Sequence, residues 1–567
     1  MTVTDLILLH PPSIFRFREQ PCFLGPVSDV IPSTSLFEGY PIGFLTLSEY
    51  LTRHDLTVRI VNLALKMLRD PAFDVERCTA HLPARAFGID LHWLPHVDGC
   101  ISLAEQLKRQ HPHTPIIVGG LSATYFRDEL MRDYPFIDFV MCGDSTEEPM
   151  QLLMSALKSG GDVSRVPNLV WRDNGRVVDN GISWRPDTLD HVSFDYTHIF
   201  RMLVKYHDPA GYLPYANWLE HPVLGVFTCR GCLHDCSTCG GSSSAFSTNC
   251  SRLRPAFRSP QLLADDIAAI AGYTGAPIMV IGDLLQAGEA YADTFFRALR
   301  RHDIANELAF EFFRPPSRRI VDLMVGSVAH FNVELSPESH DLRVRHAFGK
   351  HFDNCELEAS IETLVASSCQ RVDLFFMTGL PHQTHASVMA TVAYCGELLE
   401  RYGHGGKLLP FIAPLAPFVD PGSRIFQDAA AMGYRLFYRT LAEHRQAMLM
   451  PSWKQRLNYE TAWMTRDEIV NATYDAAEAL IELKERHGLT DAADARALRE
   501  HITRARAVIA ALDRTETVSQ ELSDEIRRLN GLDTLCGKHE LDWRIIGSKC
   551  HLFRCISALV RKTPKEQ

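Results

Sequence analysis

Short apolar runs alternate with amphipathic stretches from Thr4 to about Ser159. "DLILLH", "TVRIVNLA", "RAFGIDLHW", "TPIIVGG" and "FIDFVMCGD" read as strands, with "PIGFLTLSEYLTRH", "DGCISLAEQLKRQH" and "STEEPMQLLMSALKSG" as helices between and after them. The last of these starts with a serine and carries an acid three residues on, the pattern of a capped helix start. Strand and helix in alternation predict a doubly wound parallel sheet. Ligands of such sheets sit at the carboxyl ends of the strands, where this chain places "LHWLPH", "GG" and "GDSTEE".

Residues 161–220 form a mixed connector after a first domain over 1–160, and "NLVWRDNGRVV" reads as a hairpin. A second alternating series follows over 221–420. Its strands are "VLGVFTC", "PIMVIGD", "LAFEFF", "HFNVELS", "RVDLFFMTGLP" and "KLLPFIAPLAP", with helices such as "SPQLLADDIAAIAGY" and "LEASIETLVASS" between them. Six β/α units predict a partial barrel with its site at the carboxyl ends of the strands. Residues 421–567 read as mainly helical, ending in a loose tail, "RKTPKEQ".

The 567 residues are 46% hydrophobic and 22% charged, ordinary for a soluble chain of several domains. A net charge of −11 argues against nucleic acid as the main partner. The start, "MTVTDLILLHPPS", lacks a basic lead-in and reads as a first strand, and no run reaches the ~18 apolar residues of a membrane span. A cytoplasmic location is therefore expected. There, 15 cysteines are better explained by metal ligation or burial than by disulfides.

Four cysteines fall within "TCRGCLHDCSTCGGS", residues 228–242, directly after the first strand of the second series. Cys232, Cys236 and Cys239 have the spacing C-x3-C-x2-C. A zinc ribbon usually separates two C-x2-C knuckles by a dozen or more residues. Three thiolates on one short loop can instead hold three corners of a 4Fe–4S cluster and leave the fourth iron open. A structural zinc site and incidental buried cysteines are the alternatives.

This spacing, preceded by "RG" and followed by "GG", resembles the radical S-adenosylmethionine (SAM) superfamily. The resemblance implies that the three cysteines bind the cluster, that its open iron chelates SAM, and that electron transfer cleaves the sulfonium to a deoxyadenosyl radical. It also implies SAM contacts at Gly240 and Gly241, at Glu334 and Ser336 in "FNVELSPES", and at Leu380 and Pro381 in "MTGLP". For Glu334 the plainer reading is a solvated acid at a strand end. Cys229, where relatives often carry serine, is expected not to be a ligand.

The front domain is similar to the cobalamin-binding domains joined to radical SAM barrels, through "PIGFLTLSEYL", "TPIIVGGLSATY" and "DFVMCGDSTEEP". That similarity implies that the nucleotide tail of cobalamin lies beside the strand ends, lined by Gly119, Gly120 and Ser122 with Gly143 and Glu147 close by. A domain that holds nothing, or another nucleotide, is the alternative. Domains that replace the cobalamin base with histidine carry D-x-H-x-x-G after strand one. Residues 10–40 lack it, and "DLHWLP" follows strand three with Pro95 in the glycine place. No histidine is expected below the cobalt. That face is expected to be open or covered from the 13–40 loop, with Arg16 and Arg18 as candidates.

Together these resemblances imply a cobalamin-dependent radical SAM C-methyltransferase acting on a small molecule. Polar transfer to an indole, such as the 2-C-methylation of tryptophan, is one variant. The alternatives are a cyclase or rearrangement enzyme with the same two domains and, remotely, a non-catalytic cobalamin sensor. An electron donor such as flavodoxin or ferredoxin is implied as partner. The segment from Gly433, "GYRLFYRTLAEHRQAMLMPSWKQRLNYETAWMTRDE", offers Tyr438, Trp453 and Tyr459 either to cover a substrate or, as preferred, to pack the C-terminal helices.

Overall fold

A computed structural model describes residues 3–26, 33–194, 196–208, 210–515, 517–531, 535–537, 540 and 542–548. The tail "RKTPKEQ" and residues 27–32 of the 13–40 loop lie outside the described residues.

The front sheet contains β1 (Thr4–His10), β2 (Val58–Asn62), β3 (Ala84–Asp90), β4 (Ile116–Gly119), β5 (Phe139–Met141), β6 (Leu169–Asp173) and β7 (Arg176–Asp179). They lie in the order β2-β1-β3-β4-β5-β6-β7, and the first five are parallel. The "NLVWRDNGRVV" segment is the antiparallel β6–β7 hairpin, and it extends the sheet beyond β5. Both faces are covered, which is why the central strands read as nearly unbroken apolar runs. Ile7, Phe87 and Ile89 face one buried cluster, and Leu6, Leu8 and Ile117 face the other. The chain reverses direction between β1 and β3, so the cleft outside their carboxyl ends is the expected ligand position.

One expected cap differs. The helix Glu147–Ser159 has Thr146 at its N-cap, and no side chain caps it. Ser145 lies one residue too early, and Glu147 turns back to accept from the Thr146 N–H at 3.2 Å.

The second sheet begins with β8 (Leu224–Phe227). A two-residue ribbon follows, β9 (Cys229–Arg230) paired antiparallel with β10 (Ala256–Phe257), and it brackets the cysteine loop. Then come β11 (Ile278–Ile281), β12 (Glu307–Phe312), β13 (His330–Glu338), β14 (Arg371–Thr378) and β15 (Leu408–Pro414). All six long strands are parallel, in the order β15-β14-β13-β12-β11-β8. The result is the expected six-unit partial barrel.

Beyond it the chain is mainly helical, but it also contains a small antiparallel pair, β16 (Tyr434–Leu436) and β17 (Tyr459–Thr461). The helix Arg466–Arg486 packs on β15 and on the helix His385–Tyr402. The last described stretch returns to the barrel. Trp543 packs on Met279 and Ala309, and Glu540 forms a buried ion pair with Lys484 at 2.5 Å.

Candidate functional site

One cavity of about 1280 Å³ lies between the two sheets, and its wall includes Gly119, Gly120, His92 and Trp93 on one side and Cys232, Cys236 and Cys239 on the other. It also runs between the front sheet and its helices, past Leu8, Gly88, Phe44 and Met150.

The cysteine loop is held by its neighbours. The Ser237 N–H donates to Phe348 O at 2.7 Å, Asp420 N–H to Thr238 O at 3.1 Å, and Ile425 N–H to Ser237 O at 3.0 Å. The N–H groups of His234 and Gly241 donate to the sulfurs of Cys232 and Cys239, each at 3.3 Å. Burial pushes the Cys232 thiol up to about 12 and the Cys236 thiol to about 11, and Cys239 stands well above its ordinary value. Metal ligation therefore has to displace the thiol protons. Among the described residues no three His, Cys, Asp or Glu side chains converge as a single ion requires. Three thiols spread along a loop suit a polynuclear cluster, in which each sulfur meets its own iron. Cys229 lies on β9 and lines the same cavity, its sulfur 3.7 Å from Gly231 O.

Gly240 lies where any side chain would collide, since a Cβ there would stand 2.9 Å from Asp420 Cβ and 3.0 Å from Pro421 O. Its N–H donates to Asp420 Oδ2 at 3.0 Å, and burial lifts that carboxyl to about 6. Gly241 and Ser336 line the cavity. Glu334 does not. Strand β13 continues through a register shift between Leu335 and Glu338, so the acid at the strand end is Glu338. Glu338 accepts from Lys350 at 2.8 Å, and Lys350 also donates to Ser336 O. Burial works against the Lys350 ammonium, yet Glu338, with Cys236 and Glu311, more than offsets it and the amine stands above its ordinary pKa.

Glu334 lies deeper, in register with Glu311 on β12 and Asp373 on β14. Burial, then Asp373 and Glu311, push its carboxyl well above the usual range. It is a buried acid in a row of acids, not a solvated one. Leu380 packs with Val344, Phe348, Met377 and Cys236 beneath the cysteine loop, and Pro381 is buried beside it.

On the front sheet, Gly119, Gly120, Gly143 and Glu147 line the cavity. Ser122 stands behind the wall, its hydroxyl donating to His92 O at 3.1 Å. Gly120 has φ +122°, and a Cβ there would lie 2.5 Å from His92 Cα. Glu147 holds Arg230 of β9 through two bonds, 2.8 and 2.6 Å, and also accepts from Thr46 at 2.9 Å. Burial opposes its charge, but Arg230 holds the carboxyl well below its ordinary pKa.

Neither arginine of the 13–40 loop reaches the cavity. Arg18 donates to the carbonyls of Phe73, Met67 and Asp70, which anchors it at a helix end, and Arg16 is exposed. From that loop the wall takes Ser33, Phe37, Gly39 and Tyr40. The three aromatics of the C-terminal region pack internally: Tyr438 donates to Gln455 O, Trp453 to Tyr474, and Tyr459 to Leu415 O. Arg230, Glu311, Glu338, Lys350 and Asp420 were not singled out from sequence, because their partners lie in distant segments.

Residues 29–153 match the B12 binding domain family. The solved structure of the radical SAM methyltransferase TsrM from Kitasatospora setae, with cobalamin and a [4Fe-4S] cluster bound, superposes with a TM-score of 0.59. That match has 14% identity and covers 93% of this chain and 99% of that one. The protein has the fold of a cobalamin-binding radical SAM enzyme. OxsB, a cobalamin-dependent SAM radical enzyme solved with aqua-cobalamin and SAM, matches at TM-score 0.55 and 14% identity, over 98% of this chain and 78% of that one. Among curated proteins, the anaerobic magnesium-protoporphyrin IX monomethyl ester cyclase of Synechocystis is 25% identical over 201 residues. That alignment spans 35% of this chain and 38% of the cyclase. Among the described residues no helix is long and apolar enough to cross a membrane.

Proposed function

We propose that this protein is a cobalamin-dependent radical SAM methyltransferase acting on a carbon centre of a small molecule, with an indole such as tryptophan as a fitting acceptor. The carrying observation is the single cavity that opens both on Cys232, Cys236 and Cys239 and on the carboxyl edge of the front sheet. When bound, the cluster supplies an electron to SAM and cobalamin carries a methyl group. Cys232, Cys236 and Cys239 would hold the cluster. Gly241 offers close backbone approach to SAM, with Gly240 packed on Asp420 beside it, and Ser336, Glu338 and Lys350 offer polar contacts at the end of β13. Gly119, Gly120 and Gly143 would border cobalamin, while Glu147 fixes Arg230 and so the distance between the two walls. The apolar stretch of wall at Phe44 and Met150 suits the nucleotide tail. Flavodoxin or ferredoxin would supply the electron. The TsrM structure with tryptophan and a SAM analogue bound, similar over 86% of this chain, supports the choice of acceptor.

The test uses anaerobically reconstituted protein and SAM with a 13C-labelled methyl group. Label in the product supports this reading, and deoxyadenosine formed with an unlabelled product refutes it. That second outcome is the one expected of a cyclase or rearrangement enzyme, a reading favoured by the likeness to the Synechocystis cyclase.

A further inference from the structure

Three histidines stand at or near the carboxyl edge of the front sheet's first strands: His10, His92 and His96. Two are engaged with protein partners. His10 is buried between Asp90 and the Phe37 carbonyl, at 2.9 and 3.0 Å. The Nε2 of His96 contacts the same carbonyl at 2.8 Å, and its Nδ1 is sealed inside the protein. His92 is different: its ring makes no hydrogen bond among the described residues, its nitrogens are not among those sealed from solvent, and the residue lines the cavity.

The backbone of His92 is fixed. Its carbonyl accepts from the Ser122 N–H at 3.2 Å and the Ser122 hydroxyl at 3.1 Å, and Gly120 lies against its Cα. The residue follows the end of β3, beside the point where the sheet reverses direction. Across the cavity stand the three cysteines. A flat macrocycle bound between these walls would turn one face to the His92 loop and the other to the cysteine loop.

Other donors on the sheet side are engaged: Glu147 with Arg230, Asp144 with Arg252, and the Tyr40 hydroxyl with Tyr212 O. The neighbouring Trp93 indole has no lone pair to give. We propose that a ring nitrogen of His92 is the lower axial ligand of the cobalt, supplied after the third strand and outside any D-x-H-x-x-G motif. Neutral imidazole is a good ligand for a borderline transition metal. The inference rests on the cobalamin reading above and reverses the expectation of a histidine-free lower face.

The experiment loads the full chain with cobalamin and, separately, with cobinamide, which lacks the nucleotide base. Each is reduced to the cobalt(II) state with ascorbate, which is too weak to reach cobalt(I), and electron paramagnetic resonance is recorded. Each cobalt line is expected to split into three from one nitrogen with both corrins. In protein made with 15N-labelled histidine the three lines become two, and in His92→Ala the splitting disappears while corrin uptake persists. Absence of splitting with corrin bound overturns the proposal. So does splitting that ignores the histidine label, or that survives His92→Ala. No uptake of either corrin instead overturns the cobalamin reading, and the proposal falls with it.

Discussion

Replacing Glu147 by leucine tests what joins the front sheet to the cysteine loop. Glu147 is 1% exposed and Arg230 13%, and the carboxylate takes two hydrogen bonds from the guanidinium, one from Thr46 and one from the Thr146 N–H, with His191 Nε2 at 3.5 Å. Glu147→Leu leaves the Arg230 charge buried without its partner, a loss of about 3–5 kcal/mol. The double variant Glu147→Leu/Arg230→Met removes both charges and should recover most of that loss, because two well-packed apolar side chains replace the pair. For a unit of this size, each kcal/mol moves the thermal midpoint by about 2–4 °C, so the single variant should unfold on the order of 10 °C lower. Thermal unfolding followed by fluorimetry reads both. Acid gives a second reading. The folded carboxyl lies below its ordinary value of 4.5, so its contribution is complete above that pH and fades as pH falls through the folded pKa. The gap between the wild type and Glu147→Leu should stay constant from about pH 8 to pH 5 and narrow only below about pH 4.5. A single variant as stable as the wild type, or a double variant no better than the single, would refute the reasoning.

Cys236→Ala should abolish the iron–sulfide absorbance of reconstituted protein and leave the far-ultraviolet dichroism unchanged, because the sulfur sits at the cavity wall on the edge of a small apolar cluster. Gly120→Ala forces an ordinary side chain into φ +122° and against His92, a strain of about 1–3 kcal/mol, and should lower corrin affinity at least tenfold in absorbance titrations. Lys484→Met strands Glu540, both side chains being 3% exposed or less, and should free the last described segment. Tryptic cleavage at Arg544 should then rise at least tenfold, and unchanged cleavage would argue against that anchor.

The alternation of apolar runs was enough to place both sheets, since strands covered on both faces leave continuous hydrophobic stretches. The cysteine spacing likewise marked the loop after β8. Pairings across the chain were not legible. Glu147 and Arg230 lie 83 positions apart, and nothing local in "STEEP" or "TCRG" says that they meet. In the sequence Glu334 is the acid at the strand end, because "HFNVELS" reads as ending at Ser336. The strand in fact passes through Pro337 by a register shift, which carries the useful acid on to Glu338. Only their loop commends Arg16 and Arg18, and three backbone carbonyls settle Arg18 elsewhere. The motif around His92 follows the wrong strand, whereas exposure to the cavity depends on the neighbouring glycine and serine.

The lacing of residues 234–243 to Phe348, Asp420 and Ile425 makes the position of the cysteine loop depend on distant parts of the chain. A substitution that displaces the Phe348 segment or the 420–425 turn would misplace the sulfurs without touching them, so a lost cluster need not point to the cysteines themselves.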